Sequence, residues 1–154
     1  MQSLPEIHID KLVIGMYIYT LNVRLHEHEV ITINLWDLGA ILNTRLYTFI
    51  RSTLYTKSLG VIFIFNLDYP ESFTEMKKLR AEVQEFTGDI PFLLIGHRPI
   101  PVDENSAQTI TDEAQSYTDA QHSRYIETYA YKDNTNFKEA LIRLIDEIQN
   151  MKIH

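Results

Sequence analysis

Asp37 ends an apolar run, Ile33-Asn34-Leu35-Trp36, and is followed closely by the small residues Gly39 and Ala40. A carboxylate at a strand end, just before a small-residue turn, is placed to hold a magnesium ion beside a phosphate. His97 and Arg98 follow a second apolar run and could meet an anion, although a loop cation with no surrounding cradle of amides is ordinarily solvated. His26 and His28 stand two apart, so on a strand they would share a face. With no third ligand beside them, a solvated turn is the plainer reading, and no metal site is expected. Tyr17, Tyr19, Tyr129 and Tyr131 are candidates for an exposed aromatic patch, since aromatics are enriched at binding surfaces. Asp, Glu and Ser are plentiful, but no motif groups them into a triad or a carboxylate pair. Cysteine is absent, which excludes disulfides, thiol nucleophiles and thiolate metal sites.

These residues sit on alternating elements. Leu21, Val23 and Leu25 alternate with polar neighbours, as do Ile31, Ile33 and Leu35, so residues 16–36 read as a hairpin of half-buried strands. Ile41–Ser58 has a roughly helical spacing of Leu42, Leu46, Phe49, Ile50 and Leu54. Gly60–Phe65 and Ile90–Gly96 are continuous apolar runs, suited to strands covered on both faces. Between them Pro70 opens a helix whose stripe is Phe73, Met76, Leu79, Val83 and Phe86, stopped by Gly88. Thr111-Asp112-Glu113 reads as the capped start of another helix. Ser123–Ala130 is a last strand. Asn134 or Asn136 caps a final amphipathic helix carrying Phe137, Ala140, Leu141, Leu144, Ile145, Ile148 and Met151. A hairpin followed by alternating helix and strand predicts one α/β domain with a mostly parallel sheet and right-handed crossovers.

At 154 residues and 45% hydrophobic composition the chain is long enough for a real core. A net charge of −7 disfavours nucleic acid as a partner. It also opposes a polyphosphate ligand, unless a local cradle overcomes it. No apolar run is long enough to span a bilayer. The N-terminus has no signal-peptide pattern, so a cytoplasmic location is expected. With no cysteine and with Gln2 in place of glycine, no lipid anchor is expected.

Six fragments resemble the Ras-like small GTPases in order and spacing, most closely the Rab branch. They are Trp36-Asp37, Gly60–Asn66, Pro70-Glu71-Ser72-Phe73, Ile90–Gly96, Glu127-Thr128 and Asn136–Leu141. Val13-Ile14-Gly15-Met16 is similar to the T-I-G-V that ends the family's first switch. The resemblance covers roughly residues 13–150. It implies a three-layer α/β fold of the P-loop NTPase type, with a mostly parallel sheet and an N-terminal β-hairpin. Residues 1–154 would be a single Ras-like domain, with 1–12 an N-terminal extension.

The family's chemistry needs five parts, which this sequence departs from one by one. The phosphate cradle G-x-x-x-x-G-K-[ST] is not spelled anywhere, and too few residues precede Val13 to hold it and its strand. Val13 stands at the switch threonine that would hold magnesium. In D-x-x-G, Asp37 is kept, Gly39 falls one place early and Ala40 takes the glycine position. Ile41 stands where a glutamine would orient water. In N-K-x-D, His97, Arg98 and Ile100 replace Asn, Lys and Asp. An isoleucine leaves guanine's N–H donors unanswered, a hydrogen bond to charge worth roughly 1.5–3 kcal/mol. In E-T-S-A-K, Thr128 and Ala130 are kept, while Tyr129 and Tyr131 replace Ser and Lys.

The expectation is therefore a Ras-like protein that has lost nucleotide binding, with no catalytic residue and no cofactor, acting as a protein-interaction module. Its partner surface would be the switch-like region 41–58 or the hairpin edge. The alternative is an N-terminally incomplete GTPase that takes GTP and Mg²⁺ once a cradle is supplied. A weaker reading is a small α/β enzyme that uses Asp37 in a closed pocket. The family's first strand lies centrally in its sheet, and no segment here matches it. Either its neighbours pair directly, or Ile7–Tyr19 folds differently to fill the gap, or a partner chain adds a strand, giving a homo-oligomer or complex that completes the sheet.

Overall fold

The computed structural model describes residues 7–13, 16–26, 29–38, 48–99, 108–130, 132 and 135–152. Gly39, Ala40, Ile41, Ile100, Tyr131 and His28 lie outside the described residues, as does most of the loop between Arg98 and Gln108. The chain divides into two compact units, Met1–Thr53 and Leu54–His154.

The first unit is an antiparallel sheet in the order β1-β2-β3, made of β1 (Ile7–Val13), β2 (Met16–His26) and β3 (Glu29–Asp37). The expected hairpin is β2–β3. Leu21 lies opposite Ile33 and Val23 opposite Ile31. Leu21 and Val23 are buried, so the alternation does mark the covered face. The other face is polar at its centre. Thr20 donates to Asn34 Oδ1 at 3.1 Å and Thr32 donates to Asn22 Oδ1 at 2.9 Å. Residues 7–12, expected as an extension, belong to β1, which pairs with β2 from Ile7 opposite Leu21 to Val13 opposite Met16. Part of the segment Ile7–Tyr19 thus adds a strand to the hairpin on the side of β2 away from β3.

The boundary between the units falls within α1 (Thr48–Tyr55), and the second unit holds a parallel sheet in the order β4-β5-β6. Its strands are β4 (Val61–Asn66), β5 (Phe92–Arg98) and β6 (Arg124–Tyr129), and its other helices are α2 (Pro70–Thr87), α3 (Gln108–Ala120) and α4 (Thr135–Lys152). Phe63, Leu94 and Tyr125 share a register line, as do Ile64, Ile95 and Ile126. Successive side chains leave opposite faces, so the odd residues of β4 face α2 and α3, and the even ones face the α4 side. On the first face Phe65 meets Phe73 at 4.9 Å between ring centroids and Tyr125 at 6.2 Å, and Phe73 meets Tyr117 edge-on. On the second, Leu93, Ile95, Ala140 and Leu144 form a buried cluster joined by Ile62, Ile126, Phe137 and Ile148. No described helix is long and apolar enough to cross a membrane.

Two boundaries and one buried position differ from those expected. β5 runs on through His97 and Arg98, because their carbonyls accept from Leu67 and Ala130 and so extend the ladder. α3 begins three residues before Thr111, whose hydroxyl is drawn to Glu127 instead of capping the helix. Phe86, on the expected buried stripe of α2, is 42% exposed and leans on Tyr55. Gly88, at φ 68°, turns the chain after α2 and donates back to the Gln84 carbonyl, a left-handed conformation that glycine adopts freely.

Gly96 lies where the sheet leaves no room. A Cβ there would fall 2.5 Å from the Tyr125 hydroxyl and 2.9 Å from Leu67 Cδ2. Gly96→Ala is expected to lower unfolding stability by about 1–3 kcal/mol, the usual cost of overpacking a filled core, read from the shift in urea midpoint.

Candidate functional site

Parallel α/β sheets bind ligands at the carboxyl ends of their strands. Here that edge is lined by Asn66, His97 and Thr128, which share one register line across β4, β5 and β6. Just beyond it are Asp68, Arg98, Tyr129 and Ala130. His97 and Arg98 are consecutive on a strand, so they serve opposite faces.

On the α4 face, His97 Nδ1 lies 2.9 Å from the Thr128 hydroxyl, and Thr128 is buried. On the other face, Arg98 is only 4% exposed and its Nε donates to Asp68 Oδ1 at 3.0 Å. Asp68 is held for this contact by its own turn. Its N–H donates to Asn66 Oδ1 at 2.8 Å, a side-chain mimic of a backbone turn. Asn66 is fixed in turn by Ser72, which accepts from the Asn66 N–H and donates to its carbonyl. The Arg98 guanidinium also lies 6.0 Å from the Tyr129 ring centroid. The N–H of Ala130 donates to the Arg98 carbonyl at 3.1 Å, so that amide is spent inside the protein.

Glu127 is the second centre of the edge. Its carboxylate accepts from Thr111 at 2.6 Å, from Tyr125 at 3.1 Å and from the Tyr129 hydroxyl. Its carbonyl accepts from Asn136 Nδ2 at 2.7 Å. One residue thereby ties α3 and the first turn of α4 to β6. Burial acts to raise the Glu127 pKa, but the hydroxyls of Thr111, Tyr129 and Tyr125 and the charge of Arg98 outweigh it and hold the carboxyl below its ordinary value. Burial and the Glu127 charge push the Tyr125 phenol far above its ordinary value.

The structure therefore gathers His97, Arg98, Thr128 and Ala130 at one edge. Val13 and Asp37 belong to the first unit, where Val13 pairs with Met16, and exposed Asp37 ends β3 opposite Tyr17. Gly39, Ala40 and Ile100 are outside the described residues. The tyrosines do not form one patch within a unit. Tyr17 and Tyr19 stack at 6.3 Å in the first, and Tyr129 is engaged by Glu127 in the second. Among the described residues, no group of three or more His, Asp or Glu is arranged to hold a metal ion. Two shallow concavities, one lined by Phe92 and Arg124 and one by Val61 and Asp89, lie at the opposite end of the sheet. Sequence reasoning missed Asp68 and Glu127 as site residues. The signal for Asp68 was the parallel register itself, which sets the segment after Asn66 beside the one after His97.

Arg98 is nearly dry, so removing its counter-charge should cost more than the 0–1 kcal/mol of an exposed pair. Asp68→Ala is expected to lower stability by about 2–3 kcal/mol, near the lower end for breaking a buried pair because Asp68 keeps some solvent, as measured by chemical denaturation. For Glu127 the folded pKa lies below the unfolded value of about 4.3. Its stabilisation is complete above that value and is lost as pH falls through the folded pKa. Glu127→Gln should therefore flatten the acid limb of the stability–pH curve below about pH 5, seen by thermal melts at a series of pH values.

Comparison with known proteins agrees with this α/β fold. The Ras family matches residues 8–150 of the sequence. The chain is 26% identical over 149 residues to the Ras-related protein Rab-1D of Dictyostelium discoideum, covering 96% of this chain and 69% of that protein. It is 26% identical over 151 residues to the GTP-binding protein YPTM1 of Zea mays, covering 97% of this chain and 68% of that one. Over 124 residues it is 25% identical to the GTP-binding protein YPT1 of Saccharomyces cerevisiae, covering 80% of this chain and 57% of that one. With an α/β parallel sheet, an antiparallel N-terminal hairpin and a family match that spans nearly the whole sequence, the chain belongs to the Ras family of small GTPases, of the Rab-like kind.

Proposed function

We propose that this Ras-family chain has given up nucleotide binding and works as a protein-interaction module. The observation that carries the reading is the self-satisfaction of the base-reading edge. Arg98, at the lysine position of N-K-x-D, is buried against Asp68, and the Ala130 amide is donated to the Arg98 carbonyl. A ligand at that edge would have to displace an ion pair whose cation is buried, and a backbone bond. Isoleucine at position 100 offers no acceptor in return. Each charge-assisted bond withheld weakens binding by on the order of a kcal/mol or more. None of these 154 residues spells a G-x-x-x-x-G-K-[ST] cradle, which leaves the triphosphate without its amides.

The working surface would then be the switch-like region 41–58, of which residues 48–58 are described, or an edge of the hairpin sheet. No cofactor is assigned, and the location would be cytoplasmic. The alternative keeps GTP and Mg²⁺ as ligands, with a cradle supplied from outside this sequence. Its support is that the maize and yeast relatives are named GTP-binding proteins.

Titration of the purified chain with fluorescent GTP and GDP, with and without magnesium, separates the two. The expected outcome is no saturable binding below about 1 mM, a free energy weaker than about −4 kcal/mol. A magnesium-dependent micromolar Kd for the chain as it stands would sink the interaction-module reading. Repeating the titration with Asp68→Ala tests the role of the ion pair, since affinity that emerges only in the variant would identify the pair as the barrier.

A further inference from the structure

We propose that Ser72 and Asn66 form a latch that sets Asp68 against Arg98 and puts the ion pair under the control of the entry turn of α2. The inference rests on the reading of a self-satisfied edge and names the residues that keep it so. Asp68 by itself is a poor anchor. Its side chain is 24% exposed while that of Arg98 is 5% exposed, so water competes for the carboxylate but hardly for the guanidinium. A partly solvated carboxylate gains little from a pair unless its geometry is set beforehand, because ordering it costs side-chain entropy. Here the backbone sets that geometry.

The turn between β4 and α2 is closed on itself. The Asp68 N–H donates to Asn66 Oδ1 at 2.8 Å, and the Tyr69 N–H donates to the Asn66 carbonyl at 3.1 Å. The Ser72 hydroxyl accepts from the Asn66 N–H at 2.9 Å. Its single proton is shared between the Asn66 carbonyl at 3.1 Å and the Tyr69 carbonyl at 2.6 Å. One oxygen thus ties the Asn66 backbone to the first turn of α2. Asn66 in turn holds the Asp68 backbone, and Asp68 Oδ1 receives the Arg98 Nε–H at 3.0 Å. Among the described residues Ser72 makes no hydrogen bond to either charged group. It acts on the pair through Asn66 and is a positioning residue.

The pair uses up a donor that an incoming anionic oxygen would need. With the latch, the commitment of Arg98 to Asp68 depends on how α2 begins, and not on charge alone. A plain helix-start role for Ser72 makes a different demand. It would stabilise α2 without reaching β5, so the state of the Arg98 Nε–H separates the two.

The test is hydrogen exchange of the Arg98 Nε–H, followed by NMR on the full chain. Asp68→Ala gives the rate of the released guanidinium. Ser72→Ala is expected to speed exchange toward that rate, by about tenfold or more. Ser72→Thr, which keeps a hydroxyl, should restore the slow rate. The Ala130 N–H, bonded to the Arg98 carbonyl, should keep its own rate in Ser72→Ala. Unchanged Nε–H exchange in Ser72→Ala would overturn the latch. So would a rise shared equally by the Ala130 N–H, which reports general loosening, or a Ser72→Thr chain that exchanges as fast as Ser72→Ala. Asn66→Ala, which removes only the side-chain acceptor, is held to the same outcomes and decides the matter if Ser72→Ala does not fold. None of these rates involves nucleotide, so a micromolar GTP affinity would count against the interaction-module reading alone and leave the latch to be decided by exchange.

Discussion

A guanidinium taken out of water has to be answered by charge, and at the carboxyl edge of the β4–β6 sheet almost everything is arranged around that demand. Arg98 is buried to within a few per cent, and a bare cation there would cost several kcal/mol. Asp68 supplies the counter-charge. The turn from Asn66 holds Asp68, the Ser72 hydroxyl holds Asn66, and Ser72 belongs to the first turn of α2. The entry angle of α2 is thereby linked to one side chain on β5. Through the Ala130 amide, the same residue's carbonyl also fixes the exit of β6. A cation that elsewhere in such a loop would be a solvated accessory has become a structural member.

Glu127 plays the corresponding part on the other side of β6. Three hydroxyls converge on its carboxylate from two elements, and its carbonyl receives the first turn of α4. The two centres share one sheet face and are electrostatically coupled, since the charge of Arg98 helps to keep Glu127 ionised. Polar networks of this kind are worth having only when every member is satisfied. At this edge Arg98, Asp68, Glu127 and the Ala130 amide all find their partners within the protein.

Much of the fold was legible from the sequence. The alternation at Leu21, Val23, Ile31 and Ile33 marks the covered face of the hairpin. The unbroken run Gly60–Phe65 marks a strand, although Ile64 on its even face is exposed where cover on both faces was expected, and the stripe from Phe137 to Ile148 marks α4. What resisted reading was decided by distant partners. Thr111 has the local signature of a helix cap, hydroxyl then acids, but Glu127, sixteen residues on, claims its hydroxyl. Arg98 sits in a loop-like, polar setting and reads as solvated, because nothing local discloses that Asp68 lies thirty residues back in sequence and one strand away in space. Residues 7–12 precede a weak polar alternation, and only pairing with β2 makes them a strand. Local pattern fixes elements, while the site depends on which ends of them meet.

The threonine–asparagine pairs on the open face of the hairpin have a consequence of their own. They form two cross-strand bonds of opposite sense, one donor from each strand. Sliding β2 against β3 by a single position would break both at once, and would turn Leu21 and Val23 toward water. The hairpin thus carries an alignment key on its wet side to match the one on its oily side. A surface displayed by these strands therefore has its register fixed twice over, once by polar bonds and once by burial.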